Sequence, residues 1–437
     1  MSKGIKELLS FIDNSPTAFH AVSNISKILD DQGFSKLSES SPWDIKKGGK
    51  YYVCRNYTSI VAVKIGNNLD NYSFNIAASH SDSPNFKIKE NAEISVREKY
   101  IQLNTEGYGG MIASTWLDRP LSVAGRVIIK NEKRYESRLV NIDRDLVLIP
   151  NLAIHMNRKV NEGISINKQI DMLPLFAAGS KKKDALKNLI ADELGIDKND
   201  IYGSDLYLYN RMKSSIWGEN NEFFSAGRID NLECAFTSLK GFIKGANDSN
   251  IQIYACFDNE EVGSQTKQGA ASTLLYDVLR RLNDKLGMSE EEFSCAIANS
   301  FMLSCDNAHA VHPNHPNKTD IGNCAYMNEG IVIKSHAGQK YTSDGVSMAI
   351  FKAICEKAKV PYQFFANRSD EPGGSTLGNI AMSQVSINAI DIGLAQLAMH
   401  SSYESAGVKD AGYMENVCKN FFDTCIRETE AGVFELR

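Results

Sequence analysis

The 437-residue chain has no apolar run approaching the roughly 18–20 residues that a membrane-spanning helix needs. It has no excess of positive charge. The formal net charge of −5 leaves no basic field for nucleic acid and no polybasic patch for a lipid surface. It has no Cys-x-x-Cys pair, and its nine cysteines are an odd number, which argues against a disulfide framework and against a thiolate zinc site. It also has no internal repeat and no low-complexity tract. The opening Met1-Ser-Lys-Gly-Ile-Lys-Glu-Leu-Leu-Ser10 lacks the apolar core of a signal peptide and reads as an amphipathic helix. These absences predict a reduced, cytoplasmic globular protein with no nucleic-acid or membrane partner.

At 43% apolar, the chain can bury one large core or two moderate ones. Its second half alternates strands with helices. Strand candidates are Ser73–Ser79, Ile251–Phe257, Phe301–Cys305 and Val385–Ile392. After Asp230 the apolar residues Leu232, Ala235, Phe236, Leu239, Phe242 and Ile243 share one helical face, and after Gly263 so do Leu275, Val278, Leu279 and Leu282. This pattern predicts an α/β fold with a sheet that is mostly parallel in its centre and flanked by helices. From about Ile94 to Ser225 the texture changes. Short strand runs (Arg126–Lys130, Arg138–Val140, Asp145–Ile149) are separated by polar turns, and one charged helix runs from Lys181 to Leu194. The expected organisation is an α/β domain, 1–93 plus 226–437, with a β-rich module, 94–225, inserted in it.

The strand Ile251–Phe257 runs straight into Asp258, Glu260 and Glu261, three carboxylates that repel one another unless solvated or occupied. Four further places share that character. Ala77-Ala-Ser-His-Ser-Asp-Ser-Pro84 ends a strand with His80 and Asp82. Gly227-Arg-Ile-Asp-Asn231 puts Asp230 in a turn before a helix. Asp306 follows the strand Phe301–Cys305, and His400 lies downstream of the Val385–Ile392 strand. Ligands of open α/β sheets sit outside the carboxyl ends of the strands. If these strands are parallel neighbours, His80, Asp230, Glu261, Asp306 and His400 converge on one rim. Two imidazoles and three carboxylates form a ligand set for a pair of divalent ions. Zinc suits it best, with cobalt or manganese as substitutes. Singly, each residue has an ordinary explanation: a loop histidine, a solvated Glu-Glu pair, an Asp that caps a helix. Only their combination points to metal.

At this point the sequence resembles the aspartyl aminopeptidases, family eighteen of the metallopeptidases. The resemblance rests on Ser79-His-Ser-Asp-Ser-Pro84, Trp116-Leu-Asp-Arg-Pro-Leu-Ser-Val-Ala-Gly125, Ile149-Pro-Asn-Leu-Ala-Ile-His-Met-Asn-Arg158, Gly227-Arg-Ile-Asp-Asn-Leu232, Asp258-Asn-Glu-Glu-Val-Gly-Ser264, Asp306-Asn-Ala-His-Ala-Val-His-Pro-Asn314 and Gln396-Leu-Ala-Met-His-Ser401. Phe11-Ile-Asp-Asn-Ser-Pro-Thr-Ala-Phe-His20 is similar to the family's opening. The motifs span nearly the whole chain in order.

The resemblance implies a zinc-exopeptidase-like fold and an aminopeptidase that releases the N-terminal residue of peptides. It implies that His80 and Asp306 hold one metal, Glu261 and His400 the other, and that Asp230 bridges them. Glu260 is then the general base on the attacking water and the donor to the leaving amine. Asp82 is expected to accept the other ring proton of His80 and fix its tautomer. The inserted module is expected to mediate dimerisation and to lend His155 to the partner's site as an oxyanion donor; a buried structural role is its alternative. Dimers are expected to build a dodecamer that restricts substrates to peptides.

Specificity is less legible. The resemblance around Gly330-Ile-Val-Ile-Lys334 implies that Lys334 pairs with an acidic N-terminal side chain. However, Met327-Asn-Glu329 puts an acid nearby, and a preference for neutral or basic termini stays open. His309 and His312 are expected beside the pocket, and Gly373-Gly-Ser-Thr-Leu-Gly378 lines the cleft rather than binding phosphate. Two other functions remain: a dimetal phosphoesterase, for which Arg228 is the only arginine beside a proposed ligand, and a non-catalytic shell protein.

Overall fold

A computed structural model describes residues 3–179 and 184–437. Its main sheet has nine strands, in the order Ser35–Leu37, Lys50–Arg55, Ser59–Ile65, Ile251–Phe257, Phe74–His80, Phe301–Cys305, Asn388–Gly393, Ile331–Lys334 and Tyr362–Phe365. The four in the middle, from Ile251–Phe257 to Asn388–Gly393, run parallel, and antiparallel neighbours flank them on both sides. The fold is α/β, as expected, and the four predicted strands are these four. The last of them starts later than predicted, because Val385 and Ile387 are buried in the turn that precedes it.

Side chains alternate between two cores, as strands covered on both faces require. Ala77, Tyr254, Cys256, Leu303 and Ile390 face one core with the helices Lys3–Asp13, Ala18–Asp31, Ile229–Lys244, Gly345–Ala358 and Val408–Phe422. Ile76, Ala78, Ile253, Ala255 and Met302 face the other with Leu274–Lys285, Glu290–Ala298 and Leu377–Met382. Both predicted helix stripes point inward: Leu232, Ala235, Phe236 and Leu239 into the first core, Leu275, Val278, Leu279 and Leu282 into the second. No helix among the described residues is long and apolar enough to cross a membrane.

A second, antiparallel sheet of six strands has the order Arg134–Asn141, Leu121–Asn131, Ile201–Asn210, Asn85–Val96, Tyr100–Tyr108 and Leu175–Ala178, with its own core around Phe86, Trp116, Leu121 and Leu208. Its limits differ from the 94–225 expected. Asn85–Val96 is one unbroken strand whose early residues Phe86 and Ile88 are buried in this core, so nothing turns at position 93. At the other end, Ser215–Trp217 and Phe223–Ala226 leave this sheet for a five-stranded one that includes Glu404–Gly407. The run Asp145–Ile149 makes only isolated bridges, with Leu117, Leu121 and Leu175, and no strand. The charged helix spans Ala185–Leu194; its expected start at Lys181 lies outside the described residues.

Candidate active site

The carboxyl ends of the four parallel strands lie on one edge. His80 is the last residue of its strand, Glu260 and Glu261 open the 3₁₀ turn Glu260–Val262 after Phe257, and Asp306 follows Cys305. The other two arrive through the five-stranded sheet, ordered Ser215–Trp217, Phe223–Ala226, Glu404–Gly407, Ala395–Leu397 and Ala308–His309. Phe223–Ala226 leads into Asp230, and Ala395–Leu397 into His400. Asp230 and Asn231 are non-helical although they open the helix Ile229–Lys244, so Asp230 leans toward the rim.

The five residues meet. His80 Nε2 lies 3.4 Å from Asp230 Oδ1 and 3.4 Å from Asp306 Oδ1. His400 Nε2 lies 3.4 Å from Asp230 Oδ2 and 3.4 Å from Glu261 Oε2. These are long for hydrogen bonds. They match the separation of about 3.3–3.4 Å between two ligand atoms on a tetrahedral ion with bonds of about 2.0–2.1 Å. His80, Asp230 and Glu261 each place one ligand-type atom within 4.8 Å of the others. Asp230 Oδ1 and Glu261 Oε1 are buried with no hydrogen-bond partner, an arrangement that is costly unless a cation satisfies it.

The imidazole tautomers agree. His80 Nδ1 is 3.1 Å from the carbonyl oxygen of Asp82, and His400 Nδ1 is 2.7 Å from that of Gly110. A carbonyl only accepts, so in each neutral ring Nδ1 carries the hydrogen and Nε2 turns its lone pair to the rim, as a metal-ligating histidine requires. The residues fit a zinc-type ion.

Without cations the rim is electrostatically frustrated. Burial would lower both histidines, yet the carboxylates overcome it: Asp230, Asp306 and Asp82 raise His80 well above its ordinary value, and Asp230 and Glu261 push His400 up to about 10. Burial acts to raise Asp230, but His400 and His80 hold it well below the usual carboxylate range. Glu261 goes the other way, raised by burial and by the Asp230 charge. Glu260 is pushed up to about 8, chiefly by burial and then by Asp306, Asp82 and Asp230, against the pull of His80. Positive charge at the centre would relieve each acid.

A cleft of about 180 Å³ opens over the rim, bordered by Asp230, Glu260, Asp306, Lys334 and His400. Glu260 thus faces the cleft beside the ligand set. Lys334 is in the wall, 2% exposed, its ammonium 2.9 Å from the carbonyl of Asp306 and 3.3 Å from Asp306 Oδ2. Burial would lower it, but Asp306 holds it above the ordinary lysine value. His309, Gly374 and Ser375 also line the cleft, whereas His312 is exposed and accepts from the amide of Asn314. Asp82 plays a wider part than expected. Its Oδ1 lies 3.4 Å from His80 Nδ1, but its two oxygens accept the backbone N–H groups of Glu260 and Glu261 at 3.1 and 3.2 Å. His155 is not brought to this rim. It is exposed, in a loop beside the six-stranded sheet with exposed Leu152, Ile154 and Met156, which removes the buried structural alternative.

Two contributions were absent from the sequence reading, both from the end of the strand Tyr100–Tyr108. Tyr108 donates its hydroxyl to Asp82 Oδ2 at 2.6 Å and accepts from Asn259 Nδ2 at 2.8 Å. Gly109, at φ +74°, passes so close that an added Cβ would stand 3.1 Å from Glu261 Cβ. The Gly109-Gly110 doublet was the available signal, since paired glycines mark close backbone approach.

A histidine-and-carboxylate rim on the carboxyl edge of a parallel α/β sheet is the layout of a metalloenzyme. The chain belongs to the M18 family: residues 11–422 match the family described as aminopeptidase I zinc metalloprotease. It is 48% identical to a probable M18 family aminopeptidase 2 of Clostridium novyi, over 96% of this chain and 99% of that one. It is 38% identical to aspartyl aminopeptidase 4 of Saccharomyces cerevisiae, over 96% and 94%. Among solved structures it superposes on the Ape4 chain of an Ape4–Nbr1 complex with a TM-score of 0.93 at 35% identity, covering 96% of this chain and 85% of that one. It superposes on the S. cerevisiae mApe1 dodecamer chain at 0.84 and 27% identity, covering 96% of each. The protein is a metalloaminopeptidase.

Proposed function

We propose that the rim holds two divalent cations, zinc in preference to cobalt or manganese. His80 and Asp306 would hold one, His400 and Glu261 the other, and Asp230 would serve both. The observation that carries this reading is the splitting of Asp230, with each oxygen 3.4 Å from a different Nε2. When bound, such a pair supplies Lewis acidity at the scissile carbonyl and water of lowered pKa. Glu260 takes the proton of the attacking water and returns it to the leaving amine. Its place in a buried cleft, where burial pushes it up to about 8, preserves the basicity this needs.

The preference proposed is for N-terminal Asp or Glu. The yeast relative named an aspartyl aminopeptidase supports it. Lys334 borders the cleft, but its three N–H donors go to the carbonyl and carboxylate of Asp306 and the carbonyl of Asn307, so it is not free to take the acidic side chain as expected. Glu329, the nearby acid, is exposed and does not border the cleft. Neutral or basic preference by the same mechanism is the alternative. Substrates reach a cytoplasmic assembly of dimers joined through the six-stranded sheet, and dimers build a dodecamer; the mApe1 relative is a dodecamer. Exposed Leu152, Ile154, Met156 and Ile170 support that face as the contact, and His155 beside them enters the partner's cleft as an oxyanion donor. The phosphoesterase reading lacks its guanidinium: Arg228 donates to the carbonyl of Ile12 and does not border the cleft.

The test is cleavage of short peptides differing only in their first residue by the zinc-loaded protein, with Glu260→Gln beside it. The expected result is stepwise N-terminal release, fastest for Asp and Glu, with kcat lower by about 10²–10⁴-fold in the variant. Equal rates for Asp, Leu and Lys termini would discard the acidic preference. A fully active Glu260→Gln would discard Glu260 as the base.

A further inference from the structure

Glu404 lies in the strand Glu404–Gly407, is 1% exposed, and does not border the cleft. Its carboxylate nevertheless reaches two of the rim segments. Oε2 accepts the backbone N–H of Asp230 at 3.0 Å, and Oε1 accepts the backbone N–H of His400 at 2.7 Å and a side-chain N–H of Gln396 at 3.2 Å. One side chain therefore joins a turn at residue 230 to a loop at residue 400, which no strand pairing connects directly. The segments it ties need holding. Arg228, Ala398 and His400 all have left-handed backbones, at φ +61°, +56° and +67°. Non-glycine residues keep such conformations only where their surroundings over-determine them.

We propose that Glu404 is a positioning residue of the metal centre: by fixing the backbone of Asp230 and His400 together, it sets the separation of the two ligands that face each other at 3.4 Å. The inference rests on the metal-centre reading above. Asp82 offers a comparison on the opposite side, its carboxylate spanning the amides of Glu260 and Glu261. The rim is thus suspended from two buried carboxylates, each of which grips the backbone of ligand-bearing segments while leaving the ligand atoms free. Every neighbour of Glu404 named above is a donor. Glu404→Gln must therefore turn its amide nitrogen toward one backbone N–H and release either Asp230 or His400.

The experiment measures zinc affinity by competition with a chromogenic chelator, together with kcat and KM, for wild type, Glu404→Gln and Glu404→Asp. Circular dichroism checks that each is folded. Asp410→Asn is the structural control, because Asp410 is also buried and also accepts two backbone N–H groups, from Asn328 and Gly330, away from the rim. Partners of this kind are worth about 10–100-fold in metal affinity. Glu404→Gln is expected to lose that much zinc affinity and to lower kcat with little change in KM. Glu404→Asp, too short to span both amides, should fall between, and it carries the test if Glu404→Gln does not fold. Asp410→Asn should melt earlier with zinc affinity intact. A folded Glu404→Gln or Glu404→Asp that binds zinc as wild type does would overturn the proposal, as would an equal loss of affinity in Asp410→Asn. Failure of wild type itself to bind zinc would overturn the metal-centre reading and this inference with it.

Discussion

The two histidines of the rim do similar work from dissimilar supports. His80 closes a central strand, its side chain is 1% exposed, and of the two carboxylates that face its Nε2, Asp306 follows a strand of the main sheet while Asp230 is shared with His400. His400 sits on a loop in a left-handed conformation, its side chain is 31% exposed, and its ring is oriented by a carbonyl from outside the main sheet, that of Gly110. One half of the rim is a by-product of strand geometry. The other is assembled from three loops and depends on the six-stranded sheet being docked against them. The buried half should therefore be costly to stability when broken, and the assembled half costly to function with little effect on stability.

The sharpest way to break that comparison is to delete each imidazole in turn. Both His80→Ala and His400→Ala should abolish measurable peptide cleavage. Their stabilities without metal should differ. Removing His80 takes from Asp230 and Asp306 one of two partners each, since Asp230 keeps His400 and Asp306 keeps Lys334, and leaves buried acceptor oxygens unpaired, a loss of about 1–3 kcal/mol. Removing the more exposed His400 should cost about 1 kcal/mol or less. Urea unfolding of the metal-free variants measures the gap, and equal midpoints would show that the two halves are not built differently.

Gly109→Ala probes the docking of the six-stranded sheet against Glu261 without replacing a ligand. A side chain at φ +74° costs about 1–2 kcal/mol, and its Cβ must push against Glu261 at 3.1 Å. Zinc affinity should fall several-fold, and kcat with it, while the main sheet stays intact. A variant with wild-type affinity would mean that Glu261 is not set by the inserted strand.

The same division explains what could be read in the sequence. The strand-built half was legible. Alternating and β-branched runs located the four parallel strands, and the residue after each strand end was bound to lie on one edge, so His80, Glu260, Glu261 and Asp306 followed from local pattern. His400 was legible only as a residue downstream of a strand, because its route through Ala395–Leu397 and a left-handed turn leaves no periodic trace. Tyr108, Gly110 and Glu404 act through contacts between residues far apart in the chain, which no spacing encodes. The onset of the second sheet at Asn85 was hidden for a related reason. One strand serves two neighbourhoods, and its composition changes only where it leaves the first.

Tyr108→Phe should have the smallest effect, and it tests whether the His80 half is as self-sufficient as its burial suggests. Among the described residues the hydroxyl of Tyr108 is the group from the six-stranded sheet that hydrogen-bonds Asp82, which already holds the amides of Glu260 and Glu261 with both oxygens. Losing one donor to a carboxylate that keeps two others should cost about 1 kcal/mol, which corresponds to roughly a fivefold fall in kcat. Zinc content should not change, because neither imidazole loses a contact. A fall of a hundredfold or more would place Tyr108 in contact with the reacting groups. The inserted sheet would then supply chemistry to both halves of the rim, and the contrast between a strand-built and a docked half would have to be redrawn as one between their histidines alone.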